Sequence, residues 1–455
     1  MKKKKILFIF VSDEYLRNFY ENKVVQNLKK NFKIAFALEK KSIFKYKHFQ
    51  RHKDCIGSFE FSKEQIKDFN LLNWSNSIIN ENLSKTFRFQ NKGIYLKVNL
   101  KYFGESFIKS IFFFLQKIYL KFIKLKNYYL FKLMKNNSSI KQKYLKKYNK
   151  NKIVEIVQNY KPDLIAFPNR GNHPALFAIT NNFKHKTLLM CDNWDNPSSK
   201  SYIDPKPKFI TVWGKQSMSH AIQCNNYKKK EIQIIGTPKY ETFYRNKTKN
   251  LKSYFKFKYF LVLESWIYDG VQETLCELNE IISKNKIFEN YKVVFRPHPH
   301  RSHSKTYDIS KLKNVIFDPD VQIDKNSKVD GRVRTNLSYY PSLIKNAELV
   351  ISGPTTMILE ACMFYKKIIL IGLKSKNFFN HRNTLNNMIH LKELNRFPNL
   401  LINKNIGDLS SQVLRFMRTK RIYSKKEINK TLGYFLTNKS VNYNKNLLSC
   451  FRKLT

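Results

Sequence analysis

The fold is indicated by the first stretch of the chain, ILFIFVSDEYLRNFYENKVVQNLKKNFKIAFAL, which spans residues 6–38. Ile6–Val11 is an unbroken apolar run, which is typical of a strand buried on both faces of a parallel sheet. Residues 13–30 predict a helix with an acidic start, and Phe32–Leu38 predicts a second strand. A strand, a helix and a strand in this order form a βαβ unit. The opening therefore predicts an α/β fold with a doubly wound sheet.

The same alternation returns after residue 150. Lys152–Tyr160 predicts a helix, and the polar, lysine-rich segment Arg245–Lys258 predicts a connection between two domains. Nine short apolar runs on either side of that connection predict strands. They are Leu164–Phe167, Thr187–Cys191, Phe209–Trp213, Ile232–Ile235, Tyr259–Leu263, Lys292–Phe295, Val315–Phe317, Leu349–Ser352 and Ile368–Ile371.

The length of the chain also predicts two domains, because 455 residues are too many for one ordinary core. We expect two Rossmann-like doubly wound domains facing a cleft. The first spans residues 1–245 and carries a helical insertion at about 85–150, and the second spans residues 255–420. Residues 421–455 predict a basic helical tail.

The insertion has the pattern of a basic amphipathic helix. Apolar residues between Phe107 and Ile123 recur at helical spacing, and Lys117, Lys121 and Lys124 lie among them. Such a helix can lie on an anionic membrane surface, or it can pack on its own domain with the lysines in solvent. No run of about 18 apolar residues occurs, so we predict no transmembrane helix.

The chain is strongly basic, with 85 Lys and Arg against 33 Asp and Glu and a formal net charge of +52. Nucleic acid, an anionic membrane and polyanionic substrates are the partner classes that such a charge attracts. A codon bias towards A and T is the alternative origin of the lysines. The lysines are scattered and arginine is sparse, so we predict no nucleic-acid partner. Six cysteines without a C-x-x-C predict reduced thiols and a cytoplasmic protein.

One polar motif directly follows a predicted strand. The strand ending at Phe295 runs into Arg296-Pro-His298-Pro-His-Arg301, where two prolines restrict the loop. Arg296, His298 and Arg301 place cationic or hydrogen-bond-donating groups at one strand end, which suits the diphosphate of a leaving nucleotide. The alternative is a structural turn with a surface histidine.

A second motif, Ser352-Gly353-Pro-Thr355-Thr356, follows the strand that ends at Ser352 and precedes a predicted helix. Backbone N–H groups and hydroxyls at such a position favour an anion, and ordinary helix capping is compatible with that role. Glu360, one turn into the helix, is placed to accept from ribose hydroxyls. No G-K-[ST] is present, so the loop does not predict nucleotide hydrolysis.

These residues resemble a known family. RPHP together with YYPSLIKNAELVISGPTTMILEA is similar to the C-terminal half of bacterial GT-B glycosyltransferases of surface-polysaccharide synthesis. That family includes capsule and lipopolysaccharide transferases and the related CDP-glycerol glycerophosphotransferases. CDNWDNPSSKS, FITVWGKQSMSHAI and IQIIGTPKYETF resemble the second half of its N-terminal domain, so the likeness covers roughly residues 160–400.

The resemblance implies a transfer without a bound metal or other cofactor, in which a nucleotide-sugar is the substrate. It places Arg296 and His298 at the donor phosphates, together with Ser352, Thr355 and Thr356, and it places Glu360 at the ribose. From their position after the strand that ends at Leu263, we add Glu264 and Ser265 as donor contacts. UDP-N-acetylglucosamine 2-epimerases share this fold and a strand-end His-Pro, but the sequence lacks a compelling match to their catalytic carboxylates.

The general base is expected in the first domain, because an acceptor hydroxyl needs a carboxylate or a histidine within reach. Asp13, Asp192 and Asp195 follow predicted strands and are the candidates beside His298, and of the three carboxylates we prefer Asp13. Three cationic or hydrogen-bond-donating residues are expected to face the cleft and contact the acceptor. They are Arg17, Arg170 and His173.

The sequence thus predicts a glycosyltransferase that moves a sugar from a nucleotide-sugar to a surface-polysaccharide or lipid-linked acceptor. We expect it to be peripheral on the anionic inner face of a bacterial plasma membrane. The alternatives are a sugar-nucleotide 2-epimerase and a polyol-phosphate transferase of the CDP-glycerol type. A non-catalytic basic binding module explains the charge but leaves both strand-end motifs without a role.

Overall fold

The computed structural model describes residues 3–43, 46–92, 148, 150–200, 202–247, 249–267, 269–298, 307–322, 339–419, 423–437 and 442–455. Two predictions lie outside these residues. They are the basic helix between Phe107 and Ile123 and the phosphate contact of Arg301.

The chain forms two compact units. Unit 1 comprises Met1–Leu16, Val25–Ile234 and Leu447–Thr455, and unit 2 comprises Arg17–Val24 and Ile235–Asn446. A short segment near the start of the chain therefore belongs to the second unit, and the last residues belong to the first. Aromatic packing accounts for this division, because the ring centroids of Phe19 and Tyr443 are 6.3 Å apart in unit 2, and those of Phe8 and Phe451 are 5.9 Å apart in unit 1.

Unit 1 contains a seven-stranded parallel sheet with the order β3-β2-β1-β4-β5-β6-β7. The chain adds strands outward from β1 to β3 and then returns to the other side of β1, so the strand order reverses between β1 and β4. This reversal defines a doubly wound sheet. The strands are β1 Lys5–Phe10, β2 Lys33–Glu39, β3 Cys55–Phe59, β4 Leu164–Asn169, β5 Thr187–Cys191, β6 Phe209–Val212 and β7 Ile232–Ile234.

Unit 2 contains a six-stranded parallel sheet with the order β10-β9-β8-β11-β12-β13, and its strand order reverses between β8 and β11. Strand residues such as Phe260 and Ile351 are fully buried, and they form one core with the helices that cover the sheet. The strands are β8 Lys258–Leu263, β9 Tyr291–Arg296, β10 Val315–Phe317, β11 Leu349–Ser352, β12 Ile368–Ile371 and β13 Leu400–Asn403.

Helices connect the strands in both sheets. Before residue 235 they are Asp13–Tyr20, Val24–Leu28, Lys63–Ile79, Lys152–Tyr160, Pro174–Phe183, Asn196–Ser199 and Lys215–Asn225. After it they are Glu241–Asn246, Val271–Lys284, Pro319–Gln322, Tyr339–Lys345, Met357–Met363, His381–Asn387, Leu409–Arg418, Lys425–Phe435 and Tyr443–Leu454. No helix in the described ranges is long and apolar enough to span a bilayer.

The structure confirms the predicted α/β class with two Rossmann-like doubly wound domains, and it differs from the sequence prediction in local detail. The single helix expected over residues 13–30 is two helices, because Lys23 adopts a left-handed conformation with φ 57° between them. The edge strands β3 and β13 were not predicted. Cys55–Phe59 is mostly half-buried and contains a glycine and a serine, so it lacks the apolar run that marks a central strand.

Candidate functional site

The site in unit 2 begins where the strand order reverses, at the carboxyl ends of β8 and β11. The backbone N–H of Gly353 donates to the carbonyl oxygen of Leu263 at 3.1 Å, which joins the loops that follow these two strands. Ligands of open α/β sheets bind in the crevice outside such a reversal. The structure therefore brings Ser265 and the loop Ser352–Thr356, which are distant in sequence, to one edge of the sheet.

Gly353 is required at this point because three atoms crowd it. A Cβ at Gly353 would lie 2.7 Å from Oγ of Ser265, 2.9 Å from Cβ of Ser265 and 3.2 Å from Nε2 of His381. The hydroxyl of Ser265 in turn accepts from the N–H of Ile267 at 3.1 Å and thereby tightens the loop after β8. His381 was not expected from the sequence, because it lies 28 residues after Gly353 in a segment without a motif.

The predicted hydroxyl-rich loop is present, but its hydroxyls differ in their surroundings. Ser352 is fully buried, and its Oγ donates to the carbonyl oxygen of Gly353 at 2.8 Å. Thr355 and Thr356 are half-buried at the start of the helix Met357–Met363. Thr356 occupies the capping position without a capping side-chain bond, so the ordinary capping role is not observed for it.

Glu264 is buried and supports the loop that follows β9. Its Oε2 accepts from the backbone N–H of His298 at 2.7 Å, and its Oε1 accepts from the hydroxyl of Tyr307. The carboxylate was expected to touch the donor directly. In the structure it fixes the backbone of the Arg-Pro-His-Pro loop, in which His298 is half-buried, and its donor contact stays a prediction.

Arg296 lies at the end of β9 with 5% of its surface exposed, in contact with two carboxylates. Its guanidinium pairs with Asp318 and with Asp320, the latter at 3.1 Å, and it donates to the hydroxyl of Tyr340 at 2.6 Å. Burial alone lowers the pKa of Arg296, but Tyr340 and both carboxylates outweigh burial and raise it. The charge predicted for a donor phosphate is therefore already compensated within unit 2, which gives Arg296 a role in holding the loop.

Glu360, the predicted ribose contact, is 1% exposed and has partners in the same unit. Its Oε1 is 2.7 Å from Nζ of Lys239 and accepts from the hydroxyl of Tyr240 at 3.2 Å. A ribose hydroxyl that reaches this carboxylate would have to share it with Lys239.

Unit 1 carries a separate charged cluster at the carboxyl ends of β1, β4 and β5. Burial alone lowers the pKa of the Arg170 guanidinium, but Tyr15, Asp192, Glu14 and Asp195 outweigh burial and raise it. The structure thus brings together Arg170, Asp192, Asp195 and Glu14, all of which follow strands predicted from the sequence. Since β1 and β4 flank the reversal of strand order in this sheet, the cluster lies where a ligand is expected.

The three candidate bases differ in their surroundings. Asp13 is 2% exposed, and its Oδ1 accepts from the backbone N–H of Tyr46 at 3.2 Å. Asp195 accepts from the hydroxyl of Ser199 and lies 3.7 Å from Nζ of Lys200. Asp192 is half-buried directly after β5.

His173 and Arg17 were expected to contact an acceptor, and the structure shows intramolecular bonds for both. Nδ1 of His173 accepts from the N–H of Ala175 and caps a helix, and Nε2 lies 3.3 Å from Oε2 of Glu39. Glu39 closes β2 and was missed by sequence reasoning, although an acidic residue directly after a buried strand is a signal for a site. Arg17 is buried in the segment that belongs to unit 2 and donates to Oδ1 of Asn18 at 3.3 Å.

Among the residues that the structure describes, no three His, Cys, Asp or Glu side chains are grouped so that they could hold a metal ion.

Comparison with known proteins shows the fold. No protein-family model and no curated protein matches the chain. A candidate UDP-N-acetylglucosamine 2-epimerase from Listeria monocytogenes is 9% identical with a TM-score of 0.55, and the match covers 99% of this chain and 96% of that chain. S. aureus MnaA, in a co-structure with UDP, is 11% identical with a TM-score of 0.52 and coverage of 99% and 98%.

A third similar structure is the UDP-GlcNAc 2-epimerase from Neisseria meningitidis bound to UDP-GlcNAc. It is 10% identical with a TM-score of 0.50, and the match covers 99% of this chain and 100% of the Neisseria chain. The likeness extends over both units, so the expected two-domain GT-B fold, which UDP-N-acetylglucosamine 2-epimerases share, is confirmed.

Proposed function

We propose that the protein is a glycosyltransferase that binds a nucleotide-sugar at the carboxyl edge of the unit 2 sheet. The observation that carries this proposal is the hydrogen bond between Gly353 and Leu263 at the reversal of strand order. It joins the loop after β8 to the hydroxyl-rich loop Ser352–Thr356 at the position where open α/β sheets bind nucleotides. Solved structures of the same fold contain UDP and UDP-GlcNAc, which supports a nucleotide-sugar as the ligand.

The diphosphate would be held mainly by uncharged donors. The proposed donors are the hydroxyls of Thr355 and Thr356, which lie half-buried in the loop after β11, and backbone N–H groups of that loop. His298 is the proposed phosphate contact of the loop that Glu264 and Arg296 fix. Because the diphosphate gains negative charge as the sugar departs, a hydrogen-bond donor from His298 would stabilise it most in the transition state.

The acceptor is assigned to unit 1 through the cluster around Arg170. In the proposed reaction a carboxylate takes the proton of the acceptor hydroxyl while its oxygen bonds to the anomeric carbon. The bond between that carbon and the phosphate oxygen breaks, and the nucleotide diphosphate leaves. We propose Asp192 as the base because it lies half-buried directly after β5 and its charge acts on Arg170, and Asp13 and Asp195 are the alternatives. We propose a glycan or lipid-linked acceptor and a position on the anionic inner face of the plasma membrane.

A sugar-nucleotide 2-epimerase is the second candidate, and its support is the likeness of the fold to UDP-N-acetylglucosamine 2-epimerases. An epimerase changes the sugar without any acceptor, whereas a transferase releases the nucleotide in proportion to the acceptor consumed. The two functions therefore differ in what happens when the protein is given a nucleotide-sugar alone.

A thermal-shift screen with CMP, CDP, UDP, GDP and their sugars tests donor binding first. We expect at least one to raise the melting temperature of wild type, and His298→Ala to weaken that stabilisation. No stabilisation by any of them, or equal binding by His298→Ala, would contradict the proposed donor site.

Incubation of the stabilising nucleotide-sugar without acceptor then separates the candidates. An epimerised sugar, detected by NMR, would establish the second candidate. Asp192→Asn is the companion variant, and it should retain nucleotide binding while losing turnover by at least about 100-fold, because general-base catalysis contributes that much.

A further inference from the structure

His381 is placed at the reversal of strand order in unit 2 by a helix that no motif predicted. It is the first residue of the helix His381–Asn387, whose start is fixed because Oδ1 of Asn380 accepts from the N–H of Asn383 at 2.8 Å. Nε2 of His381 is 3.2 Å from the point that a Cβ on Gly353 would occupy. The imidazole therefore packs against the glycine that joins β8 to β11.

The imidazole is also buried with an unused polar atom. His381 is 1% exposed, and among the described residues its Nδ1 has no hydrogen-bond partner. A buried polar atom without a partner costs about 1–3 kcal/mol, so such an atom needs a physical explanation. Burial lowers the pKa of His381 to about 4, against the opposing charge of Asp269, so the ring is uncharged at neutral pH.

Neighbouring polar groups do not supply the missing bond. The Ser265 hydroxyl is used twice by the backbone of Ile267, since it accepts from the N–H at 3.1 Å and donates to the carbonyl oxygen at 3.3 Å. The carboxylate of Asp269 accepts from Ser375 at 2.6 Å and from Asn377 at 2.8 Å. The hydroxyl of Ser265 and the carboxylate of Asp269 are thus engaged elsewhere.

We propose that His381 is a further ligand-binding residue of unit 2, whose ring bonds an oxygen of the nucleotide-sugar through Nε2, the nitrogen that lies against Gly353. This inference rests on the proposed function, because it assumes that the ligand binds where β8 and β11 end. An uncharged imidazole can donate to a phosphate oxygen or pair with a sugar hydroxyl. Both are ligand oxygens, and binding of the nucleotide with and without its sugar distinguishes them.

The test compares His381→Phe, which keeps a ring but removes both nitrogens, with wild type. Replacing an unpaired buried nitrogen by an apolar ring should leave the melting temperature of the ligand-free protein equal or higher. We then measure the dissociation constant for whichever of UDP, CDP and GDP binds wild type most tightly, and for the corresponding nucleotide-sugar. It should rise about three- to ten-fold, which is the effect of losing one neutral hydrogen bond. His185→Phe, at an exposed histidine of unit 1, is the matched control and should change neither quantity.

A loss of affinity for the nucleotide alone would assign the contact to the diphosphate or nucleoside, and a loss seen only with the nucleotide-sugar would assign it to the sugar. If His381→Phe does not fold, His381→Gln and the ligand-dependent ¹⁵N shifts of the wild-type histidines replace it. The His381 resonance, identified by its disappearance in His381→Gln, should move on ligand addition.

Two negative results have different meanings. Wild type that binds none of these nucleotides contradicts the proposed function and this inference together. Wild type that binds while folded His381→Phe binds equally well, or while the His381 resonance stays unchanged, contradicts only the role of His381.

Discussion

The Nζ atom of Lys239 lies 2.7 Å from Oε1 of Glu360, a carboxylate that is 1% exposed. Lys239 follows β7 and Glu360 lies in the helix after β11, so the pair ties two parts of unit 2 that are far apart in sequence. Buried ion pairs are poor evidence of net stabilisation, but removal of one partner leaves a buried charge uncompensated.

Lys239→Met should therefore destabilise the protein by about 3 kcal/mol, measured by urea unfolding. The matched control is Lys284→Met, because Lys284 and Glu280 are also 2.7 Å apart but both are exposed. The control should show little change. If Glu360→Leu restores the free energy of unfolding in the Lys239→Met background, the destabilisation comes from the unpaired carboxylate. An equal destabilisation in Lys284→Met would contradict this explanation.

Gly353→Ala should disturb the loop at the end of β11, because the new Cβ would lie 2.7 Å from Oγ of Ser265. We expect a loss of about 1–3 kcal/mol in the free energy of unfolding, as overpacking typically causes, together with weaker nucleotide stabilisation. Ser265→Gly in the same chain should recover part of the stability. Gly407→Ala is the control, since no atom lies within 4 Å of its added Cβ. A free energy of unfolding equal to that of wild type would show that the loop shifts to accommodate the added methyl group.

Arg296→Met should be more destabilising than His298→Ala. It leaves the fully buried Asp318 and the half-buried Asp320 without their cation, which should cost about 3–5 kcal/mol. Arg396→Met, at the exposed ion pair with Glu393, should have little effect on denaturant unfolding. If ligand-free Arg296→Met were as stable as wild type while its nucleotide affinity fell, Arg296 would act on the donor phosphates, as the sequence alone suggested.

Glu39 should give unit 1 a pH-dependent contribution to stability. Burial alone raises the pKa of Glu39, but hydrogen bonds from His173 and Ser42 outweigh burial and lower it from 4.5. Because the folded-state pKa is depressed, the stabilisation is present above pH 4.5 and is lost as the pH falls through the lower folded-state pKa.

Glu39→Gln should thus be less stable than wild type by about 1.5 kcal/mol at pH 7, and the difference should vanish in acid. Thermal melts across this range measure it. Glu60→Gln serves as the control because Glu60 is an exposed carboxylate paired with Lys41 at 3.7 Å. A difference between wild type and Glu39→Gln that is independent of pH would rule out the ionised carboxylate as its source.

The basic segment around Lys117 should mediate membrane binding if the transferase acts on a lipid-linked acceptor. Flotation with liposomes should require anionic lipid and weaken when Lys117, Lys121 and Lys124 become Glu. Reversal of Lys229, Lys230 and Lys286, which are exposed elsewhere, changes the net charge equally and should have a smaller effect. If wild type does not bind anionic liposomes even at low salt, the membrane proposal is contradicted.

The sequence by itself determined the fold class. Apolar runs such as Ile6–Phe10 and Leu349–Ile351 are buried on both faces of a sheet. Burial on both faces requires consecutive apolar residues, and such a run can be recognised in the sequence. Polar residues directly after those runs indicated the edge of the sheet at which the candidate site lies. Edge strands such as Cys55–Phe59 were not predictable because they bury less and mix polar with apolar residues.

Only the tertiary structure decided what the polar residues contact. Arg296 and Asp318 are 22 residues apart, and Glu360 and Tyr240 are 120 residues apart, so neither pairing leaves a local pattern. His381 carries no motif and reaches Gly353 only because two strands and a helix converge. Periodicity records which face of an element is buried, but the partner of a buried charge is set by the packing of distant elements. For that reason the strand-end residues were predictable, and the intramolecular contacts that they make were not.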